Sequence, residues 1–395
     1  MRETVAKQAS TLVHPRQELP RIAFVGPIAE PGKPASGGYE AANRRTVDLL
    51  RRHAVSVLEL PYSIARGSVV RKSATYALGF AEIAARLTWQ RADWDILHIT
   101  PHLRQFLTAE ACLCHIAQTL RRQVFLDIRA GALMADYEKR GRRYRRALEQ
   151  FLTRANLLAI EGLAYAPFVR QWYDKELFYF PNYVIHREEP AHVHRPAPNQ
   201  AGTIRLVTVG RLVPAKGVEL AIDLTEHLRR SGSPVHLEVI GTGDPAYVER
   251  LKTRSQLLPV SFTGSLPPHE IASRLAKRHF FIFATTHSGE GHSNALTEAM
   301  ALGVVPVCSD NGFNRDVVGN AGIVLPKAAS VEMYADAVRS ICSNDRSWLN
   351  ASLNASNRVQ SNFTDHIVLP QLIDTYKRLF RNDGAVPRRP LRSAA

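Results

Sequence analysis

A short apolar run, a charged loop and a capped helix follow one another near residue 290, and this succession constrains the chain most. Residues 279–284, His-Phe-Phe-Ile-Phe-Ala, have the pattern of a buried strand. Downstream stands Glu290-Gly291-His292-Ser293-Asn294-Ala295-Leu296-Thr297-Glu298-Ala299-Met300-Ala301-Leu302-Gly303. Ser293 or Asn294 suits a helix N-cap, where a short side-chain oxygen accepts from a free N–H of the first turn. Gly303 suits the stop after Leu302. Glu290 is thus expected above the strand tip and Glu298 about one turn into the helix. The free N–H groups and positive dipole end of that helix lie between the two carboxylates, where an anion binds. One carboxylate can hold sugar hydroxyls beside a phosphate while the other holds ribose hydroxyls. The same spacing also arises on a plain amphipathic helix with two exposed glutamates.

A second motif narrows the choice. In residues 205–217, Arg-Leu-Val-Thr-Val-Gly-Arg-Leu-Val-Pro-Ala-Lys-Gly, Leu206 to Val209 reads as a parallel-sheet strand and Gly210 as a tight exit. Arg211 and Lys216 then stand at the entrance to a helix predicted over Val218 to Arg230. A planar fork and a point charge together suit a pyrophosphate. Two cations in a loop are commonly solvated surface, but these follow one strand end and the glutamates follow another. In open parallel sheets such ends converge on one crevice.

With these residues in view, the chain resembles the retaining glycosyltransferases of family 4, which have the GT-B fold. The resemblance is carried by Gly210-Arg211-Leu212 with Lys216-Gly217, by Glu290 and by Glu298-Ala299-Met300-Ala301 with Gly303. Val239-Ile240-Gly241-Thr242-Gly243 and Ser261-Phe262-Thr263-Gly264 stand between them in the family's order. It is strong from about residue 203 to 326 and weaker before that. It implies an α/β protein with two Rossmann-like, doubly wound domains facing a central cleft.

Length and pattern agree with that organisation. The chain has 395 residues, enough for two or three domains. Strand candidates in the first half are Ile22 to Val25, Val55 to Leu60, Ile96 to Ile99, Val124 to Leu126, Leu157 to Ile160 and Leu177 to Phe180. The expected domains are residues 1–190, acceptor-binding, and 203–361, nucleotide-sugar-binding. Residues 186–202 between them hold three prolines and little apolar content, as a linker should. Phe180-Pro181-Asn182 resembles the element that closes the family's first domain. A helix at about 365–380 is expected to cross back onto the first domain, and 381–395 reads as a disordered tail. Gly37-Gly38 matches the family's first glycine loop, or is a plain flexible loop. The four cysteines are too irregularly spaced for a disulfide scaffold, which points to a reducing compartment. No run of ~18–20 apolar residues could span a membrane.

The formal charge is +15, and its densest cluster is Lys139-Arg140-Gly141-Arg142-Arg143-Tyr144-Arg145-Arg146. Such a stretch seeks anionic lipid or a lipid-linked acceptor, or is a solvated helix face. Nucleic acid is not expected, because the arginines are not interleaved with stacking aromatics. The Tyr76 to Leu87 stretch is amphipathic and reads as core or as a membrane aid.

The resemblance implies a metal-independent, retaining transfer of sugar from a UDP- or GDP-sugar to a glycan or lipid-linked acceptor, in surface polysaccharide synthesis. It makes the chain cytoplasmic, with or without peripheral attachment to the membrane. Arg211 and Lys216 would stabilise the leaving diphosphate and Glu290 would hold the sugar. Gly37, Gly38, Gly210, Gly241, Leu266, Gly291, His292, Ser293, Asn294, Ala295 and Glu298 would line the nucleotide-sugar, with no further cofactor. Many family members place a His after an N-terminal-domain strand, where this chain has Asp127 and Arg129. Asp127 would hold an acceptor hydroxyl, or the two residues pair with each other. His98 and His102 read as packed or surface histidines. A nucleotide-sugar epimerase of the same fold and a non-catalytic membrane or nucleic-acid binder are the alternatives.

Overall fold

The computed structural model describes residues 19–32, 35, 37–62, 69–186 and 195–381. Two six-stranded sheets organise the chain. The first comprises β1 (Ile22–Gly26), β2 (Val57–Pro61), β3 (Ile96–Ile99), β4 (Gln123–Ile128), β5 (Leu157–Ile160) and β6 (Leu177–Tyr179), in the order β2-β1-β3-β4-β5-β6. The second comprises β7 (Ile204–Val209), β8 (Val235–Ile240), β9 (Val260–Gly264), β10 (Phe280–Phe283), β11 (Val305–Ser309) and β12 (Ile323–Leu325), in the order β12-β11-β10-β7-β8-β9. All strand pairs in both sheets are parallel. Helices cover both faces, so inner strands such as Phe280–Phe283 are buried throughout and carry continuous apolar sequence. The strand order reverses between β1 and β3 and again between β7 and β10. Ligand crevices in open parallel sheets form at such points, beyond the carboxyl ends of the strands.

One face of the first sheet packs the helices Val69–Trp89, Leu107–Thr119 and Arg142–Thr153 through Phe80, Ile83, Leu87, Leu113, Leu148 and Phe151. Its other face is closed from the far end of the sequence. Val368, Leu369, Leu372, Ile373 and Tyr376 of the helix Asp365–Phe380 pack with Ile22, Phe24, Ile96 and Phe125. The helix before it, Asp345–Asn362, instead gives Trp348, Ala355 and Val359 to the second unit. The crossover is pinned where His186 N–H donates to the Asp365 carboxylate at 2.6 Å and Val184 pairs with Thr364.

Part of the proline-bearing stretch 186–202 departs from a simple linker. Arg195 is buried and donates to the carbonyls of Ala276 and Gly303 and to Ser352 Oγ, with its guanidinium 5.2 Å from the Trp348 ring centre. Residues 198–201 form a short helix capped by Gly202. Composition does not reveal such a clamp, because its partners lie between 80 and 157 residues away. Residues 187–194, and 382–395 of the expected tail, lie outside the described residues.

Candidate functional site

The second sheet's reversal point gathers the charged residues singled out above. Gly210, whose φ is 150°, follows β7 directly, and Gly241, whose φ is 138°, follows β8. A Cβ on Gly241 would stand 1.8 Å from the Gly210 carbonyl oxygen, so glycine there is required by the approach of two strand exits. From this tight exit, Gly210, Arg211, Leu212 and Lys216 line one crevice with Phe283 of β10.

Lys216 Nζ donates to both Glu290 carboxylate oxygens, at 2.9 and 2.7 Å, and Thr285 Oγ1 donates to one of them at 2.8 Å. Glu290 is buried, so its charge is kept by these donors rather than by water. Arg211 is exposed and, among the described residues, makes no ion pair. The helix Asn294–Ala301 starts at Ser293, whose hydroxyl accepts from Leu296 N–H at 3.4 Å. Its first turn, with the dipole's positive end, follows the Glu290 loop directly in sequence. Asn294 Nδ2 donates across the interface to the Gly38 carbonyl at 3.0 Å, which brings the Gly37–Gly38 turn to this helix end. Glu298, one turn on, stands 3.5 Å from Arg45 of the first unit. Leu266 lies beyond the edge strand β9, packed with the apolar cluster that includes Ile240 and Leu275.

His292 lies inward of the loop. Its side chain is buried in the second unit, with Nε2 2.8 Å from Thr297 Oγ1 and the ring edge-on to Phe363 at 5.1 Å. Burial, then the Arg129 charge, lowers its pKa to about 3, which favours the neutral ring.

Asp127 pairs with Arg129, the alternative that the sequence left open. Arg129 Nε donates to its Oδ2 at 2.6 Å and His98 Nε2 lies 3.3 Å from the same oxygen; all three side chains are buried. Asp127 and Arg129 stand two apart at the end of an extended strand, on the same side, so each neutralises the other. Asp127 Oδ1 is buried and, among the described residues, has no hydrogen-bond partner. His98 is packed between Phe24 and Phe125, with ring centres 4.3 and 4.6 Å away. In the basic cluster, Arg145 Nε donates to the Tyr137 carbonyl and Nη2 to that of Glu138, at 2.8 and 2.6 Å. Arg142, Arg143 and Arg146 are exposed.

Four further residues stand at the site without having been singled out for it. Thr285 and His287 follow β10 directly, and position alone in the loop before Glu290 was their signal. Burial, then the Lys216 charge, lowers the His287 pKa. The other two are Glu161, after β5, and Asn182. Burial pushes the Glu161 pKa up to about 8. Asn182 Nδ2 donates to Glu161 Oε1 at 2.8 Å and to the His292 carbonyl at 2.7 Å. The chain's Asp-x-Asp triplet, Asp93-Trp94-Asp95, precedes β3 at the sheet end remote from this cleft, and Asp95 is held by Arg21 and Arg122 at 2.8 and 3.3 Å.

Residues 193–358 match the family described as glycosyl transferases group 1. The amylovoran biosynthesis glycosyltransferase AmsK of Erwinia amylovora is 26% identical over 184 residues, which cover 45% of this chain and 45% of that protein. A putative colanic acid biosynthesis glycosyltransferase of Escherichia coli, WcaL, is 28% identical over 123 residues, 29% of this chain and 30% of that protein. The matches thus span less than half of these curated relatives. Among solved structures, HepE of Anabaena in complex with UDP aligns with a TM-score of 0.66 at 17% identity, over 90% of this chain and 99% of that one. Sucrose-phosphate synthase from Thermosynechococcus elongatus aligns with a TM-score of 0.70 at 15% identity, over 91% and 99%. The fold is GT-B.

Proposed function

We propose that this GT-B chain, with its glycosyl transferases group 1 match at residues 193–358, is a retaining glycosyltransferase that uses a nucleotide-sugar. The observation that carries the reading is the Lys216–Glu290 pair at the β7–β10 reversal, beside exposed Arg211 and the capped helix end at Ser293. A diphosphate set there meets two cations and backbone N–H donors. Charge growing on the leaving group is neutralised where it develops, the effect that contributes most to catalysis of this kind. As Lys216 turns to the phosphate, the Glu290 carboxylate becomes an acceptor for sugar hydroxyls, and Glu298 is placed for ribose. The leaving phosphate takes the acceptor proton, so no separate base is required. The cations do the work a divalent ion would do, and no metal is needed.

The acceptor is a glycan or lipid-linked hydroxyl in polysaccharide synthesis, as the names of the curated relatives suggest for those proteins. HepE was solved with UDP-glucose as well as with UDP, which favours a UDP-sugar donor. We place the chain in the cytoplasm, with Arg142, Arg143 and Arg146 against anionic lipid. Among the described residues no helix is long and apolar enough to cross a membrane.

A thermal-shift panel of UDP- and GDP-sugars tests the donor class, because a ligand bound only by the folded state raises the melting temperature. One nucleotide-sugar should stabilise the wild type, and transfer from it should survive EDTA. No shift with any donor would overturn the reading, and transfer abolished by EDTA and restored by Mn²⁺ would overturn its metal-free form.

A further inference from the structure

Besides Lys216 and Thr285, residues of the opposite unit also hold the Glu290 loop in place. Arg129 Nη1 donates to Asn182 Oδ1 at 2.6 Å, and Asn182 Nδ2 donates both to Glu161 Oε1 and to the His292 carbonyl. With the Asp127–Arg129 pair, this makes a continuous polar web running from β4 through the ends of β5 and β6 into the loop before the helix Asn294–Ala301. Its side chains are buried, Asn182 and Arg129 at 6% exposure, Glu161 at 3% and Asp127 at 0%. The two units touch along it. A Cβ on Gly131 would stand 2.4 Å from the Glu290 carbonyl carbon, and one on Gly291 would stand 2.4 Å from Glu161 Oε2. Gly291 is therefore the point where the loop fits over a buried carboxyl.

We infer that Glu161 and Asn182 are positioning residues: together they form an interdomain latch that fixes the Gly291–His292 peptide and, through it, the aim of Glu290. The latch deepens the transfer reading and rests on it only where turnover is measured.

Its chemistry makes it sensitive to protons. Facing Glu161 are Arg129 and Asp127 from β4, Glu290 and His292 from the loop, Tyr165 just after β5 and Tyr179 from β6. Burial dominates, raising the carboxyl to about 8; Arg129 and the His292 amide oppose this, while Asp127 and Glu290 add to it. The latched arrangement thus binds the Glu161 proton more tightly than an opened, hydrated one. It is favoured at lower pH and loses that advantage as pH rises through about 8.

Hydrogen exchange of the ligand-free full chain tests the latch without donor or acceptor. Protection factors of the 290–296 amides, corrected for intrinsic exchange, should fall about tenfold between pH 7 and 9, one unit of linkage for one proton. Glu161→Gln keeps a neutral oxygen acceptor for Asn182 and cannot titrate, so its protection should stay flat over that range. Asn182→Ala should lose protection at both pH values while the β7 and β8 amides keep theirs, which separates loss of the latch from unfolding. In turnover, Asn182→Ala should lower kcat about 10²-fold with donor Kd within about twofold, as misplacement rather than lost binding. Equal pH dependence in wild type and Glu161→Gln, or unchanged loop protection in Asn182→Ala, would overturn the proposal. A latch seen by exchange in a chain that transfers no sugar would instead refute only the transfer reading.

Discussion

At the scale of single residues, charge pairing decides what each group can do. Lys216 and Glu290 neutralise each other in a partly buried crevice, whereas Arg211 remains exposed. Lys216→Ala therefore does two things: it removes a cation from the leaving group and strands a buried carboxylate. Arg211→Ala does only the first. Both should lower turnover about 10²-fold or more. Lys216→Ala alone should also lower the melting temperature, and calorimetry of the two variants beside wild type checks the contrast. Equal stability loss in both would mean the pair contributes nothing structural, and near wild-type turnover in both would remove the clamp. The glutamates, Arg211 and Lys216 were legible in sequence because each sits at a fixed offset from a strand or helix signal. The full setting of Asp127 was not legible in the sequence, for a physical reason. Its partners His98 and Asn182-bound Arg129 converge from three strand ends, and only the folded sheet brings them to one carboxylate.

At the scale of elements, apolar periodicity located β1 to β7 and β10 to within a few residues, because inner parallel strands are buried on both faces, while β8, β9, β11 and β12 were not singled out. It was less informative about the basic segment. The run 139–146 spans the end of the helix Leu133–Lys139 and the start of Arg142–Thr153, with Gly141 between. Arg145 bridges back to the carbonyls of Tyr137, Glu138 and Arg140, satisfying the end of the first helix. The arginines of the cluster thus divide into Arg145, bound to carbonyls, Arg140, 4.8 Å from the Tyr144 ring centre, and the exposed Arg142, Arg143 and Arg146. Arg145→Gln should cost about 1–2 kcal/mol of stability, with little effect on lipid binding. Changing Arg142, Arg143 and Arg146 together to Gln should leave the melting temperature within about 2 °C. The same triple change should abolish sedimentation with vesicles containing phosphatidylserine, binding that in the wild type falls as salt rises. Binding of the wild type to neutral and anionic vesicles alike, insensitive to salt, would remove the membrane role from this helix.

At the scale of the whole molecule, the two units are joined by more than the connection near residue 190. The described chain of the first unit reaches Val184, which pairs with Thr364, where the last helix docks on the first sheet. The sequence pattern did disclose an amphipathic helix at about 365–380, but not how much of the first unit's core depends on it. Val368, Leu369, Leu372, Ile373 and Tyr376 complete the apolar layer over β1, β3 and β4, and Tyr376 also reaches buried His98. At roughly 1.5–3 kcal/mol for each fully buried apolar side chain, these side chains contribute on the order of 10 kcal/mol. That is comparable with the about 5–15 kcal/mol that holds a whole domain folded. A chain ending at Phe363 should therefore lose the first unit while keeping the second, whose core draws on Trp348, Ala355 and Val359 from the preceding helix. Native-state hydrogen exchange should find the β1, β3 and β4 amides unprotected, with β7, β8 and β10 still protected. Nucleotide binding should be weakened but measurable, since Arg211, Lys216 and the Ser293 helix end all lie in the surviving part. Full protection of β1 and β3 in the truncated chain would mean that the first sheet closes its own core, and that the returning helix is a tether rather than a structural layer.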